Sequence, residues 1–229
     1  MPDIKFSWSA LREHLRRYLW IYIVGIAVCL LGTNLLWTTT RPQPSNDQTV
    51  IIYLMDAYGN PEALSDVAED MFARTKPHDD ALQVVQFQNL MYTEEEYMSS
   101  MLLVTRLAVG EGDAFMTQQA GLDALVNSQV LEPLDDYVAA GWPGDYGLEP
   151  YYATYTDDET GESQTYLAAL RLDNVTALSE RMAFANEGAY LCVTANGGNV
   201  QTTMRALEYM FEDLMEGAHA ETGASQPEA

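Results

Sequence analysis

The chain has 229 residues, with 34 acidic side chains against 11 basic ones and a formal net charge of −23. A surface this acidic repels phosphate backbones and anionic headgroups, which argues against nucleic acid and against a peripheral lipid contact. Two cysteines are present, Cys29 in an apolar run and Cys192 alone in the remainder. No disulfide framework organises the fold, which suits a bacterial cell envelope.

Residues 1–17 form a basic leader carrying Lys5, Arg12, Arg16 and Arg17. Residues 18–38 follow, and from Tyr18 to Trp37 they read YLWIYIVGIAVCLLGTNLLW without a charge. At about 1.5 Å per helical residue this stretch reaches roughly the 30 Å of a hydrocarbon core. Tyr18, Trp20, Tyr22 and Trp37 lie near its two ends, where amphipathic rings favour the headgroup region. Four basic residues precede the run and Arg41 alone follows it closely, so the positive-inside bias keeps the N-terminus cytoplasmic and exports the rest. A cleaved secretory signal has the same basic-then-apolar order, but its core is usually ~7–15 residues and ends in small residues. Here bulky Leu35, Leu36 and Trp37 stand where cleavage would need small ones. The expectation is a single-pass cell-membrane protein, with the bilayer its partner through residues 18–38 and its C-terminal domain extracellular. The part beyond Pro42 sets six basic residues against about 32 carboxylates.

Residues 39–48 are a polar linker with two prolines. The folded domain is expected over 49–217. Val50 to Met55 (VIIYLM) is a short apolar, β-branched run, as in a strand buried on both faces. After the turn DAYGN, Asn60 is placed to cap a helix with Pro61 at its first position and Leu64, Val67, Ala68, Met71 and Phe72 on one face. That helix ends before Pro77. A strand at Leu82 to Phe87 leads to Thr93 and Glu96 at capping-box spacing, then a helix to Gly110. A strand at Ala114 to Thr117 precedes a helical stretch through Leu122, Leu125 and Val126. Strands alternating with helices predict an α/β fold: a doubly wound, mainly parallel sheet with helices on both faces. From Ala139 the pattern weakens in GWPGDYGLEPYYATY, and TDDETGES reads as an exposed turn before the strand TYLAALRL. A short helix at Ala177 to Ala185, a strand at Ala189 to Thr194 and an amphipathic helix from Asn199 to Leu214 close the domain. Residues 218–229 are too polar to pack and are expected to form a disordered acidic tail.

One long phrase, AVGEGDAFMTQQAGLDALVNSQVLEPLDDYV, carries Gly110, Gly112, Asp113, Leu131, Pro133, Leu134, Asp135 and Asp136 in a distinctive order. With VIIYLMD, LQVVQF and YLCVTANGGNVQTTMRALEYMFEDL, it resembles the extracellular solute-binding proteins of ABC importers, which have the type 2 periplasmic-binding fold. The resemblance covers most of Val50 to Leu214. It implies one lobe of a fold that usually has two, since about 60 residues separate the aspartate pair from the closing segment. It also implies a small polar solute such as a sugar, and an ABC permease or another membrane protein as partner.

In doubly wound sheets ligands sit beyond the carboxyl ends of the strands. Tyr58, Asn60, Asn89, Tyr92, Gln118 and Gln119 there supply rings and amides for a polar ligand. Asn60 and Asn89 also have ordinary structural uses, as a helix cap and a turn former. Trp142, with Tyr146, Tyr151 and Tyr152, offers a stacking platform, although such clusters more often fill a core under a loop. Asp157, Asp158, Glu159 and Glu162 lack the spacing of a calcium loop and read as a hairpin tip. His14, His78 and His219 are scattered, so no metal and no cofactor are expected. Met91, Met98 and Met101 read as ordinary core or helix residues. GxSxG, Walker and HExxH motifs are all missing, so the chain reads as a non-enzyme. The competing reading is a sensing or protein-interaction module that docks a membrane partner through its sheet edge and aromatic surface.

Overall fold

The computed structural model describes residues 8–40, 44–55, 59–93, 97–156, 163–195 and 198–224. The chain divides into two units, Met1–Gln43 and Pro44–Ala229. The first holds α1 (Trp8–Thr40), whose stretch Arg16–Thr38 is long and apolar enough to cross a membrane, with none of it buried within the chain. A signal sequence near an N-terminus meets the same description.

The second unit opens on a 3-10 turn at Asn46–Gln48, where the Asn46 amide donates to the Val109 carbonyl at 2.9 Å. In chain order there follow β1 (Thr49–Met55), α2 (Pro61–Thr75), β2 (Val84–Leu90), α3 (Tyr97–Ala108), β3 (Ala114–Thr117), α4 (Gln119–Asn127) and α5 (Asp135–Ala139). Then come β4 (Glu149–Thr156), β5 (Ser163–Arg171), α6 (Thr176–Met182), β6 (Tyr190–Val193) and α7 (Val200–Ala224). The last helix runs past Leu214, where the amphipathic pattern stopped, and β4 occupies a stretch in which no strand was expected.

The six strands form one sheet in the order β2-β1-β3-β6-β5-β4. β1 is parallel to both neighbours, with Ile52 opposite Phe87 on one side and Ala114 on the other. The expected mainly parallel sheet stops there. β6 runs antiparallel to β3, with Phe115 opposite Cys192, and the pairings β5–β6 and β4–β5 are antiparallel as well. The sheet is therefore mixed, and connections explain why. Parallel neighbours need a crossover, usually a helix that carries the chain back along the sheet. α2 and α3, with 15 and 12 residues, supply it in the first half. β4 and β5 are consecutive strands only six residues apart, too few for a crossover, and α6, at seven residues, is too short to return the chain.

All of β1 is buried, as its unbroken apolar run predicts for a strand covered on both faces. Val50, Ile52 and Leu54 join one core with α2, α6 and α7, while Ile51, Tyr53 and Met55 join the other with α3 and α4. Alternate side chains of a strand point to opposite faces, so helices cover both sides of the sheet.

The turn at Gly112–Asp113 joins β3 to its neighbours. Gly112 has φ +99°, and a Cβ there would stand 2.8 Å from the Tyr53 ring. Only glycine satisfies both demands. Asp113 is buried; its backbone N–H donates to Ile51 O at 2.9 Å and its carboxylate accepts from the Ile51 N–H at 2.8 Å. Its carbonyl accepts from the Thr194 N–H at 2.9 Å, so one residue ties β1, β3 and the end of β6 together. The Asp135 carboxylate works similarly, accepting from the Leu167 N–H at 2.9 Å.

Candidate functional site

Most of the expected ligand contacts turn their polar groups onto the chain itself. Asn60 caps α2: its Oδ1 accepts from the Glu62 N–H at 2.9 Å, and its own N–H donates to Met182 O at 2.8 Å. Gln118 donates to Glu187 O at 3.4 Å. Gln119 donates to Asp123 at 2.8 Å and to the Tyr151 hydroxyl at 3.2 Å. Tyr92 is buried in the core under α3 and α4. Trp142 packs against the opposite core, its indole N–H donating to Met204 O at 2.8 Å. Asn89 is exposed on β2. Tyr58 lies outside the described residues, as do Asp157, Asp158, Glu159, Glu162 and Glu96.

The aromatic segment is divided in the same way. Tyr146 stacks on Phe211 and Tyr151 meets Tyr190 edge-on, with ring centroids 5.9 and 5.0 Å apart, whereas Tyr152 is exposed. Trp142 and Tyr151 serve opposite cores and do not build one platform.

A concavity lies along the side of the sheet that ends in β2. A groove of about 350 Å³ runs between α2 and β2. α2 contributes Pro61, Leu64, Ser65, Ala68 and Glu69; β2 contributes Val85, Gln86, Phe87 and Asn89. Helical spacing puts Leu64, Ser65 and Ala68 on one side, and strand alternation puts Val85, Phe87 and Asn89 on the facing one. Among the described residues β2 pairs only with β1, which leaves its outer backbone groups open. Its sequence VVQFQNL contains no charge and no proline. Natural edge strands are normally blunted by charge, proline or a bulge. The outer surface of α2 beside this edge is acidic, with Glu62, Asp66, Glu69 and Asp70 all exposed. Of the groove residues, reading the sequence singled out Asn89 alone for ligand contact. A usable signal for the rest was a strand with neither charge nor proline.

Among the groups whose pKa is displaced, three are moved far by burial. Burial pushes the Asp113 carboxyl up to about 7, against the opposing hydrogen bond from Ile51. Tyr53 is pushed up to about 12, first by burial and then by donating to Glu111 at 2.9 Å; Arg106, which bonds both, opposes the rise. The buried Cys192 thiol is pushed upward by burial and donates to Phe115 O at 3.7 Å, which keeps it protonated and unreactive. Met98 and Met101 are exposed helix residues of α3, and Met91 is exposed just past β2.

No family model matches this chain, and no curated protein matches it.

Proposed function

We infer that the chain is a membrane-anchored, non-catalytic interaction module whose domain lies outside the cell and binds an extended, basic peptide segment along β2. The observation that carries this reading is the unguarded edge of β2 beside a groove of about 350 Å³. An added strand gains main-chain hydrogen bonds from such an edge, and alternate side chains gain pockets. Leu64, Ala68, Val85 and Phe87 supply apolar lining for those side chains. The carboxylates of α2 favour lysine or arginine in the partner and disfavour acidic segments. The four basic residues before the apolar run support a cytoplasmic N-terminus.

A small-solute reading has one supporting observation. Asn89 lines the same groove, whose volume lies at the lower end of the roughly 300–1,000 Å³ typical of ligand pockets. On that reading the chain is an accessory or ligand-presenting component of an ABC-type uptake system.

Thermal unfolding of the full chain in detergent separates the two. The probes are a seven-residue peptide alternating valine and lysine, the same peptide with glutamate for lysine, and a panel of neutral sugars. A ligand at 100 times its Kd adds about 2.7 kcal/mol of stability. The expected result is a saturable rise in Tm with the lysine peptide alone, lost in Ser65→Trp, which fills the groove. A rise with a sugar and none with peptide supports the solute reading instead. No rise with any probe rejects both.

A further inference from the structure

The two walls of the groove run in opposite chain directions. β1 and β2 are parallel and α2 carries the chain back between them, so α2 starts at the carboxyl end of β2 and proceeds toward its amino end. This order sets Pro61 toward Asn89, Leu64 and Ser65 at the middle, and Ala68 and Glu69 toward Val85. At about 1.5 Å per helical residue, Pro61 to Glu69 measures ~12 Å. At about 3.3 Å per strand residue, Val85 to Asn89 measures ~13 Å. The walls match in length, and alternation along an added strand seats one side chain beside each of Val85, Phe87 and Asn89.

The three places differ in chemistry. The middle one, between Leu64 and Phe87, is apolar, and the Asn89 end offers an amide. At the Val85 end stands Glu69, the one charged residue in the lining. Glu62, Asp66 and Asp70 are exposed on the same helix but do not line the groove. Among the described residues no ion pair holds Glu69. Arg74 and Lys76, which follow it, are engaged elsewhere: Arg74 pairs with Glu212, and Lys76 donates to the carbonyls of Asp80 and Leu82 at 2.7 and 2.6 Å.

We propose that Glu69 is the specificity-determining residue of this groove, selecting a lysine or arginine two positions from the apolar side chain that seats between Leu64 and Phe87. The inference rests on the reading of β2 as an edge that takes an added strand, and it fixes where in such a peptide the basic residue stands. Physiological salt screens an exposed charge beyond about 8 Å, so Glu69 acts at its own end of the groove and not at the Asn89 end, ~13 Å away. Side chains two positions apart on a strand share a face, whereas a shift of one position turns the basic residue to the opposite face, away from Glu69.

The test is fluorescence anisotropy of labelled seven-residue peptides titrated with the full chain in detergent. The first peptide has valine at its centre, lysine two positions before it and threonine elsewhere. The second has glutamine for lysine, and the third has lysine directly beside valine. The unaltered chain is expected to bind the first about fivefold more tightly than the second, the upper end of what one exposed ion pair supplies. Glu69→Gln is expected to bring that ratio near one without moving Tm by more than a few degrees, since Glu69 is exposed. Asp66→Asn, on the same helix but off the groove, is expected to leave most of the ratio, and affinity for the third peptide is expected not to depend on Glu69. Equal affinity for the first two peptides, a ratio unchanged in Glu69→Gln, an equal fall in Asp66→Asn, or an equal dependence of the third peptide on Glu69 overturns the role of Glu69 while strand addition stands. Binding of none of the peptides overturns both.

Discussion

The two ends of the sheet answer the same problem in different ways. β4 closes one end with Glu149 and Pro150 at its start and a register shift between Tyr151 and Tyr152 in its pairing with β5. Each of these disfavours the docking of another strand. β2 closes the other end with seven uncharged residues and no proline, beside a groove. The guarded end belongs to the antiparallel half, built from a hairpin, and the open end to the parallel half, built from helical crossovers. The bare edge is the feature that the proposed strand addition requires.

The largest expected effect tests whether the parallel half carries the stability. Ile52→Ala removes a fully buried side chain from β1 and is expected to cost about 2–5 kcal/mol. Tyr152→Ala on the exposed surface of β4 is expected to stay within about 0.5 kcal/mol. Urea denaturation measures both, and equal losses would erase the distinction between the halves.

Asp113 sharpens the same contrast through pH. Its folded pKa of about 7 lies above its ordinary 3.8, so the unfolded chain releases this proton first as pH rises. The stability tied to the neutral carboxyl is present in full below about pH 4 and is lost progressively up to about pH 7. One proton gives a slope of at most about 1.4 kcal/mol per pH unit. Asp113→Asn keeps an acceptor for the Ile51 N–H and is expected to remove that slope from a Tm series between pH 4 and 7; an unchanged slope would place its origin elsewhere.

Exchanging the guards comes next. Gln86→Lys puts a charge on β2 and is expected to weaken binding of the lysine peptide about tenfold, or 1.4 kcal/mol. Pro150→Val removes a guard from β4, and turbidity that grows with protein concentration is the expected sign of a second open edge. If Gln86→Lys leaves peptide affinity unchanged, the strand-addition reading fails.

The smallest effect concerns Asn60. Asn60→Ala deletes the cap of α2 and is expected to cost about 1 kcal/mol without altering peptide affinity at the groove. A larger loss of affinity than of stability would show that Asn60 touches ligand after all.

Local patterns in the sequence foretold local structure. The apolar run VIIYLM became a buried strand, Asn60 and Pro61 began a helix, and Ala114 to Thr117 became a strand with those bounds. The turn at Gly112 and Asp113, noticed for its residue types, proved to be a backbone position that only glycine fits beside an aspartate whose backbone and carboxylate together tie three strands. These outcomes depend on propensity, periodicity and steric freedom, all properties of neighbours along the chain.

Strand direction, edge position and convergence of side chains depend on residues distant in sequence. Nothing in EPYYATYT states that it forms an edge strand, because its pairing with β5 supplies the order that its glycine- and proline-rich surroundings conceal. Nothing in YMSSMLLVTRLA separates a core helix from one with an apolar surface, because periodicity names a face without naming what covers it. The amides of Gln118 and Gln119 were chemically suited to a ligand, and the fold engaged them with Glu187, Asp123 and Tyr151. The sequence by itself determined where each element lies and that one apolar helix stands before an acidic domain. Only tertiary packing decided which edge and which helix face stayed uncovered, since a surface is free only when every other part of the chain has been placed elsewhere.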